Sequence, residues 1–229
     1  MLGRRTLPGT MMDAKPLTPP LILPLGDHGL LVRFSGALSE TANRAAVMFA
    51  RQAERARLPG VVEVVPNLVS VLLRYEPGQV EFDRLAGEVR LLISGPSAEA
   101  GEGAEVAIAV RFDGEDVDEV AGTLGMSREG FVAAHCSGAL RVLATGFAPG
   151  FVYTGFHDAS LQIPRRAQVR RQVPAGTVLF AAGQTAITST AIPTGWHVIG
   201  HTEFRNFDPD QASPTRLRAG DMVRFEALS

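Results

Sequence analysis

The chain has 229 residues, 45% hydrophobic and 20% charged, a balance that places it among globular proteins. A formal charge of -2 gives no general attraction to nucleic acid or to an anionic membrane, and no apolar run reaches the roughly 20 residues of a membrane-spanning helix. The single cysteine, Cys136, rules out an internal disulfide and a cysteine-based zinc cluster, and suits a reducing cytoplasm, where the chain is expected to reside.

Residues 1–20 are expected to form a flexible leader. Arg4 and Arg5 precede a stretch broken by proline and glycine, which argues against a secretory signal, and Met11 or Met12 is a candidate start. Leu21–Leu25 and Gly29–Phe34 flank the turn Gly26-Asp27-His28, and the second run alternates as a strand does. Ser39 is placed to cap a helix that carries Ala42, Ala45, Ala46, Phe49 and Ala53 on one face and stops at Leu58-Pro59-Gly60. Val61–Val65 and Ser70–Tyr75 read as a hairpin, and Phe82, Leu85, Val89 and Leu92 mark a second amphipathic helix. The order β-α-β-β-α predicts a small ferredoxin-like α/β domain over 21–95.

Residues 96–104, rich in Gly, Ala, Ser and Glu, read as a linker. Glu105–Phe112 alternates as a half-buried strand that either closes the first sheet or opens a second domain over 105–229. Two short helices follow, Asp116–Leu124 and Arg128–His135, with Ser127 as a cap. They resemble a helix-turn-helix in outline, but the second helix, with Arg128, Glu129 and His135, lacks the basic face that DNA requires. An αα-corner packed on a sheet is expected, with His135 as a helix cap. Beyond it, strands are predicted over 139–145, 151–155, 177–182, 185–188, 197–201 and 221–226, a closed or nearly closed barrel.

Common enzyme signatures are absent. The sequence has no phosphate-binding Gly-x-x-x-x-Gly-Lys loop, no Gly-x-Ser-x-Gly elbow and no His-Glu-x-x-His pair, and Lys15 is its only lysine. His157, His197 and His201 show no metal-ligand spacing, so no metal is predicted. What stands out is residues 146–200. Arg165, Arg166, Arg170 and Arg171 cluster between two prolines. They suit either recognition of carboxylate or phosphate by planar guanidinium groups or pairing with acidic neighbours. The turn Gly146-Phe147-Ala148-Pro149-Gly150-Phe151 either packs on its own rings or faces a ligand. Gln184 and Thr185 offer an amide and a hydroxyl, and Trp196 either caps a core or lines a pocket.

The ordered motifs Gly-Phe-x-Pro-Gly-Phe-x-Tyr (146–153), Pro-Arg-Arg (164–166), Val-Pro-Ala-Gly (173–176), Gly-Gln-Thr (183–185), Gly-Trp (195–196), Phe-Asp-Pro (207–209) and Gly-Asp-x-Val-Arg-Phe (220–225) resemble one family. It is that of the B subunit of bacterial ATP-dependent 5-oxoprolinase, also known as allophanate hydrolase subunit 1, the kinase-inhibitor KipI family, or carboxyltransferase subdomain C/D. The resemblance implies a cyclophilin-like β-barrel as the second domain. It also implies a partner, the C-subunit homologue (allophanate hydrolase subunit 2), with a third lactam-utilisation subunit joining in the oxoprolinase. The implied reaction opens 5-oxo-L-proline to glutamate with ATP, whose site this chain does not reveal. On this reading Arg166 and Gln184 are catalytic candidates. Phe147, Pro149, Gly150, Phe151, Arg165, Arg170, Thr185, Gly195 and Trp196 are substrate-binding candidates. The family's other name implies an alternative, a non-catalytic regulator that inhibits a sensor histidine kinase. The chain departs from the family at 186–194, where Ala186, Thr188 and Ser189 replace a glycine, a tyrosine and a proline, and at Val169, which replaces a proline.

Overall fold

The computed structural model describes residues 19–95 and 103–228. The expected leader and linker therefore lie almost wholly outside the described residues. The chain divides into two units, Met1–Ala100 and Gly101–Ser229, each built on its own buried core.

In the first unit the elements run β1 (Leu21–Leu25), β2 (Gly29–Arg33), α1 (Glu40–Ala56), β3 (Val61–Pro66), β4 (Ser70–Tyr75) and α2 (Phe82–Ser94). The sheet order is β1-β2-β4-β3, antiparallel throughout. Because β4 lies between β2 and β3, the β2-α1-β3 crossover joins parallel strands around an inserted one. The β1–β2 hairpin adds an edge strand to the expected order. Ser39 caps α1, its hydroxyl accepting the Ala42 N–H at 3.2 Å, and Arg57 ends it in a left-handed conformation (φ 47°). Leu30 and Val32 from β2 and Val71 and Leu73 from β4 point to one side by strand alternation. There they pack with Ala46, Phe49 and Ala50 of α1 and Leu85 and Val89 of α2.

The second unit carries β5 (Glu105–Val110), α3 (Val117–Thr123), α4 (Arg128–His135), β6 (Ala139–Thr145), β7 (Val152–Gly155), β8 (Arg170–Val173), β9 (Thr177–Ala181), β10 (Gln184–Ile187), β11 (Ile192–Thr194), β12 (His197–His201) and β13 (Met222–Ala227). Seven strands form one sheet in the order β12-β9-β10-β7-β6-β13-β5. Strand β5 pairs in parallel with β13 over its whole length, so residues 105–110 belong to this unit and not to the first sheet. The sheet curls until its two edges meet. Arg111 and His201 exchange backbone hydrogen bonds of 2.9 and 2.8 Å, and no side chain fits at Gly200, where a Cβ would collide with the Arg111 carbonyl. Curling in this way pairs edges that would otherwise stay open.

The sheet has a core on each face. On one, Val142, Val178, Phe180, Ile187, Ile199 and Phe225 pack with Val117 and Val120 of α3 and Phe131 of α4. On the other, Phe151, Leu179, Ala181, Ala186, Trp196 and Val198 pack with Val173 and Ile192. Those last two come from β8 and β11, strands not expected from the sequence, which pair as a separate two-stranded ribbon.

Candidate functional site

The arginine cluster is organised by a residue fifty positions upstream. Asp116 precedes α3, and its side chain is 4% exposed. Arg166 Nη1–H donates to Oδ1 at 2.6 Å, and Arg170 donates from Nη1 to Oδ2 and from Nη2 to Oδ1, both at 2.8 Å. The Val198 N–H adds a bond to Oδ2 at 2.7 Å. Burial alone would raise the Asp116 pKa. The Arg170 and Val198 hydrogen bonds and the two guanidinium charges outweigh it, and the carboxyl sits below its ordinary value. Arg170 is further held by Glu115 at 2.7 Å, and Arg166 Nη1 lies 3.6 Å from Glu119. The ion-pairing reading of the cluster therefore describes Arg166 and Arg170. Arg165 differs: it is exposed and stands over the Trp196 ring at 5.6 Å, a cation–π arrangement.

Trp196 is also one end of an aromatic row. Its ring centroid lies 6.0 Å from Tyr153, Tyr153 lies 4.7 Å from Phe151, and Phe151 lies 5.6 Å from Phe147. The Tyr153 hydroxyl is raised in pKa by burial, against the pull of the Arg165 charge. Trp196 is only 6% exposed, whereas Phe147 is 72% exposed and holds a left-handed backbone (φ 78°), a conformation that costs a non-glycine residue energy. Pro149 stands at the exposed tip of the turn. At Gly150 (φ 69°) a Cβ would strike Phe207 and come within 2.7 Å of Ser189. The Ser189 hydroxyl ties the turn down by donating to the Gly150 carbonyl at 2.9 Å. Gly195 contributes its carbonyl, which accepts the Arg166 N–H at 2.8 Å.

Gln184 and Thr185 are not brought together. They are successive residues of β10, so their side chains leave opposite faces of the sheet. Thr185 is fully buried, and its hydroxyl lies 2.8 Å from Nε2 of both His135 and His157. A hydroxyl has one hydrogen, so one imidazole accepts it and the other donates its own N–H to the oxygen. Two neutral rings suffice for this pattern. Burial favours that state, lowering the His157 pKa to about 4 and the His135 pKa well below its usual value, the latter with help from the His157 charge. Phe112, Phe131, Phe180 and Phe225 surround His135 at centroid distances of 5.2–6.0 Å. His135 is therefore not the helix cap it was expected to be, because its ring is drawn into the core. Thr188, at the position of the family tyrosine, is likewise buried, donating to the Pro174 carbonyl at 2.8 Å.

A pocket of about 380 Å³ opens beside the arginines, lined by Glu119, Thr123, Ile163, Pro164, Arg165, Arg166, Ala167, Gln168 and His197. His197 is 5% exposed and bonds the Pro164 carbonyl through Nε2 at 3.1 Å. His197 Nδ1 and Arg166 Nε are buried with no partner among the described residues, as are Gln184 Nε2 and His135 Nδ1. Each such atom costs about 1–3 kcal/mol if nothing ever bonds it. Asp116, Glu119 and His197 also bring ligating atoms within 4.8 Å of one another, a spacing that a cation could use. Two guanidinium groups already occupy both Asp116 oxygens, so a metal would have to compete with them. Sequence reasoning missed Asp116, Glu119 and His197. Asp116 is one of several acidic residues in a turn, and nothing local pairs it with Arg170.

An apolar-cored, curled sheet with an arginine-lined pocket on its flank defines a class of module, and similarity to known proteins names its family. Residues 20–217 match the model described as carboxyltransferase domain, subdomain C and D, and the chain belongs to that family. The B subunit of 5-oxoprolinase from Bacillus subtilis is 32% identical over 219 residues, covering 90% of this chain and 91% of the relative. The protein of the same name from Escherichia coli O157:H7 is 38% identical over 173 residues, covering 73% and 78%. The crystal structure of TTHA0988 is similar with a TM-score of 0.79 and 39% identity over 88% of this chain, which spans 40% of the length of that one.

Proposed function

We propose that this chain is a subunit of a heteromeric complex that opens the lactam of 5-oxo-L-proline to L-glutamate with ATP. The observation that carries this reading is the arginine-lined pocket, set in a chain whose relatives bear the name of the 5-oxoprolinase B subunit. A lactam carbonyl is a poor electrophile. Phosphorylating its oxygen activates the carbon for attack by water. The adduct then expels the ring nitrogen, which takes up a proton, to leave an acyl phosphate that a second water hydrolyses to glutamate and phosphate. Cations must balance the phosphate and the developing oxyanion. Arg165, which no carboxylate pairs among the described residues, is the guanidinium most available for a substrate carboxylate or phosphate. Arg166 contributes its unpartnered Nε–H, while Arg170 holds Asp116 and through it Arg166. Gln184 and the aromatic row from Phe147 to Trp196 lie on the other face of β10, outside the lining of that pocket, and Arg165, stacked over Trp196, stands between the two.

The first unit is read as a ferredoxin-like domain, the second as a cyclophilin-like barrel, and residues 96–104 as their linker. The partner is a homologue of allophanate hydrolase subunit 2, with a third lactam-utilisation subunit in the full complex, in the cytoplasm. Co-expression with that homologue tests the partnership: the two chains are expected to elute together in size-exclusion chromatography, and separate elution would overturn it.

A further inference from the structure

The strands of the first unit are apolar where an antiparallel sheet with one face in water would alternate. β1 reads Leu-Ile-Leu-Pro-Leu, β2 Gly-Leu-Leu-Val-Arg and β4 Ser-Val-Leu-Leu-Arg-Tyr. Leu30, Val32, Val71 and Leu73 are fully buried on the side where both helices of the unit pack. The residues between them leave the opposite face. Register joins these into one apolar row across all four strands: Leu23 pairs with Leu31, Leu31 with Leu72, and Leu72 with Val65. Leu21 and Leu25 flank the row on β1. Leu21, Leu23, Leu25 and Val65 are 36–53% exposed, and Leu31 and Leu72 at the centre are half-buried. Four strands of five or six residues, spaced by about 4.8 Å, make a face of roughly 300 Å² in plan. That is the scale of patch that marks an interaction surface. It matches the apolar centre of a standard interface, which covers about 800 Å² per partner once its polar rim is included.

The residues on either side of the row indicate what covers it. Arg33 on β2 pairs across the strands with Ser70 on β4, and Gly29 on β2 pairs with Arg74 on β4. The two long side chains therefore occupy one diagonal of the central strand pair, and the two small residues occupy the other. Turning the sheet over by 180° about an axis in its own plane, along the strands or across them, exchanges the diagonals. Each arginine of one copy then falls over a glycine or serine of the other, and leucines meet leucines between them. The Arg74 charge is balanced within its own copy by Glu63 at 3.0 Å. We infer that this face binds a second copy of the chain, sheet against sheet, in an isologous dimer. The match of the face to itself favours a second copy over an unrelated partner, for which the placement of the two diagonals would carry no meaning.

Sedimentation equilibrium on the full chain alone tests the inference. Neither partner subunit nor substrate is needed, so its failure leaves the proposed function untouched. A reversible monomer–dimer equilibrium is expected below millimolar concentration. Leu31→Glu places a carboxylate in the apolar centre twice per dimer and should raise the dissociation constant about a hundredfold or more. Leu25→Glu, at a half-exposed edge position that burdens the fold less, should raise it roughly tenfold. Ser70→Arg sets arginine over arginine about either axis and should also raise it about tenfold. Far-ultraviolet circular dichroism should be the same in all three variants as in the wild type. A wild-type chain that stays monomeric at millimolar concentration overturns the inference, and so does a dimer whose dissociation constant Leu25→Glu and Ser70→Arg leave unchanged. A monomeric chain that loses co-elution with the allophanate hydrolase subunit 2 homologue on Leu25→Glu substitution overturns it in favour of that partner. A chain that dimerises only after removal of residues 1–18 overturns it in favour of that segment.

Discussion

Arg170 grips Asp116 with two parallel hydrogen bonds of 2.8 Å, across 54 residues of sequence. This fork ties the turn before α3 to the start of β8, and the same carboxylate places Arg166 at the pocket wall. Asp116→Ala would leave two partly buried guanidinium groups without their carboxylate. A loss of about 3 kcal/mol is expected, seen as a lower urea midpoint at unchanged m-value. Arg170→Lys keeps the charge but not the fork, and should cost less than Asp116→Ala. A pair of variants with the wild-type midpoint would show that the fork contributes nothing.

The two buried histidines make stability depend on pH in a defined direction. Their pKa values are lower in the folded state than in the unfolded chain, so the unfolded chain binds more protons once the pH drops below about 6.5. The stability they permit is complete above that value and falls as the pH moves toward the folded value of about 4 for His157. That single residue accounts for about 3 kcal/mol across the interval. Thermal unfolding should shift to lower temperature from pH 7 to pH 4.5, and His157→Gln should flatten the curve. An equally steep curve in the variant would assign the pH dependence to other groups.

Two glycines with similar backbone angles should respond differently to alanine. Gly150 and Gly183 have φ of 69° and 68°, so both substitutions incur roughly 1 kcal/mol of backbone strain. At Gly150 the added Cβ meets the Phe207 Cβ and the Ser189 side chain, whereas at Gly183 it meets the terminal amide of Gln162, an exposed side chain free to swing aside. Gly150→Ala should therefore be the more destabilising by about 1 kcal/mol or more. Equal melting temperatures would contradict the packing described for the 146–151 turn.

Arg165 and the only tryptophan of the chain give an optical readout. Removing the guanidinium in Arg165→Ala should change Trp196 fluorescence and raise the KM for 5-oxoproline about tenfold in the assembled complex, with less than about 1 kcal/mol lost in stability, since exposed cation–π contacts are weak. An unchanged KM would remove Arg165 from the substrate site.

Local chemistry is legible in the sequence, and distant pairing is not. Ser39 announces α1 because a hydroxyl before an apolar-periodic run satisfies free N–H groups, and Ser127 announces α4 in the same way, accepting the Gly130 N–H at 3.0 Å. Strands β8 and β11 leave no such signal. Arg170-Arg171-Gln172-Val173 has no alternation to read, and Pro193 sits inside β11, where proline normally argues against a strand. The partners of the arginines are equally hidden, because Asp116 meets Arg170 only after the sheet has curled. One part of the site is readable beforehand: adjacent residues of a strand face opposite ways, so Gln184 and Thr185 could not serve one ligand group together. His135 shows the limit of assigning roles by position, since the end of a helix suggests a cap while four phenylalanines draw the ring inward.

Glutamate release from 5-oxo-L-proline is the most direct measurement of what this chain does. Assembled with the allophanate hydrolase subunit 2 homologue and the third lactam-utilisation subunit, it should yield glutamate in an ATP-dependent reaction that stops when this chain is left out. An assembled complex that makes no more glutamate than the mixture lacking this chain would contradict the assignment.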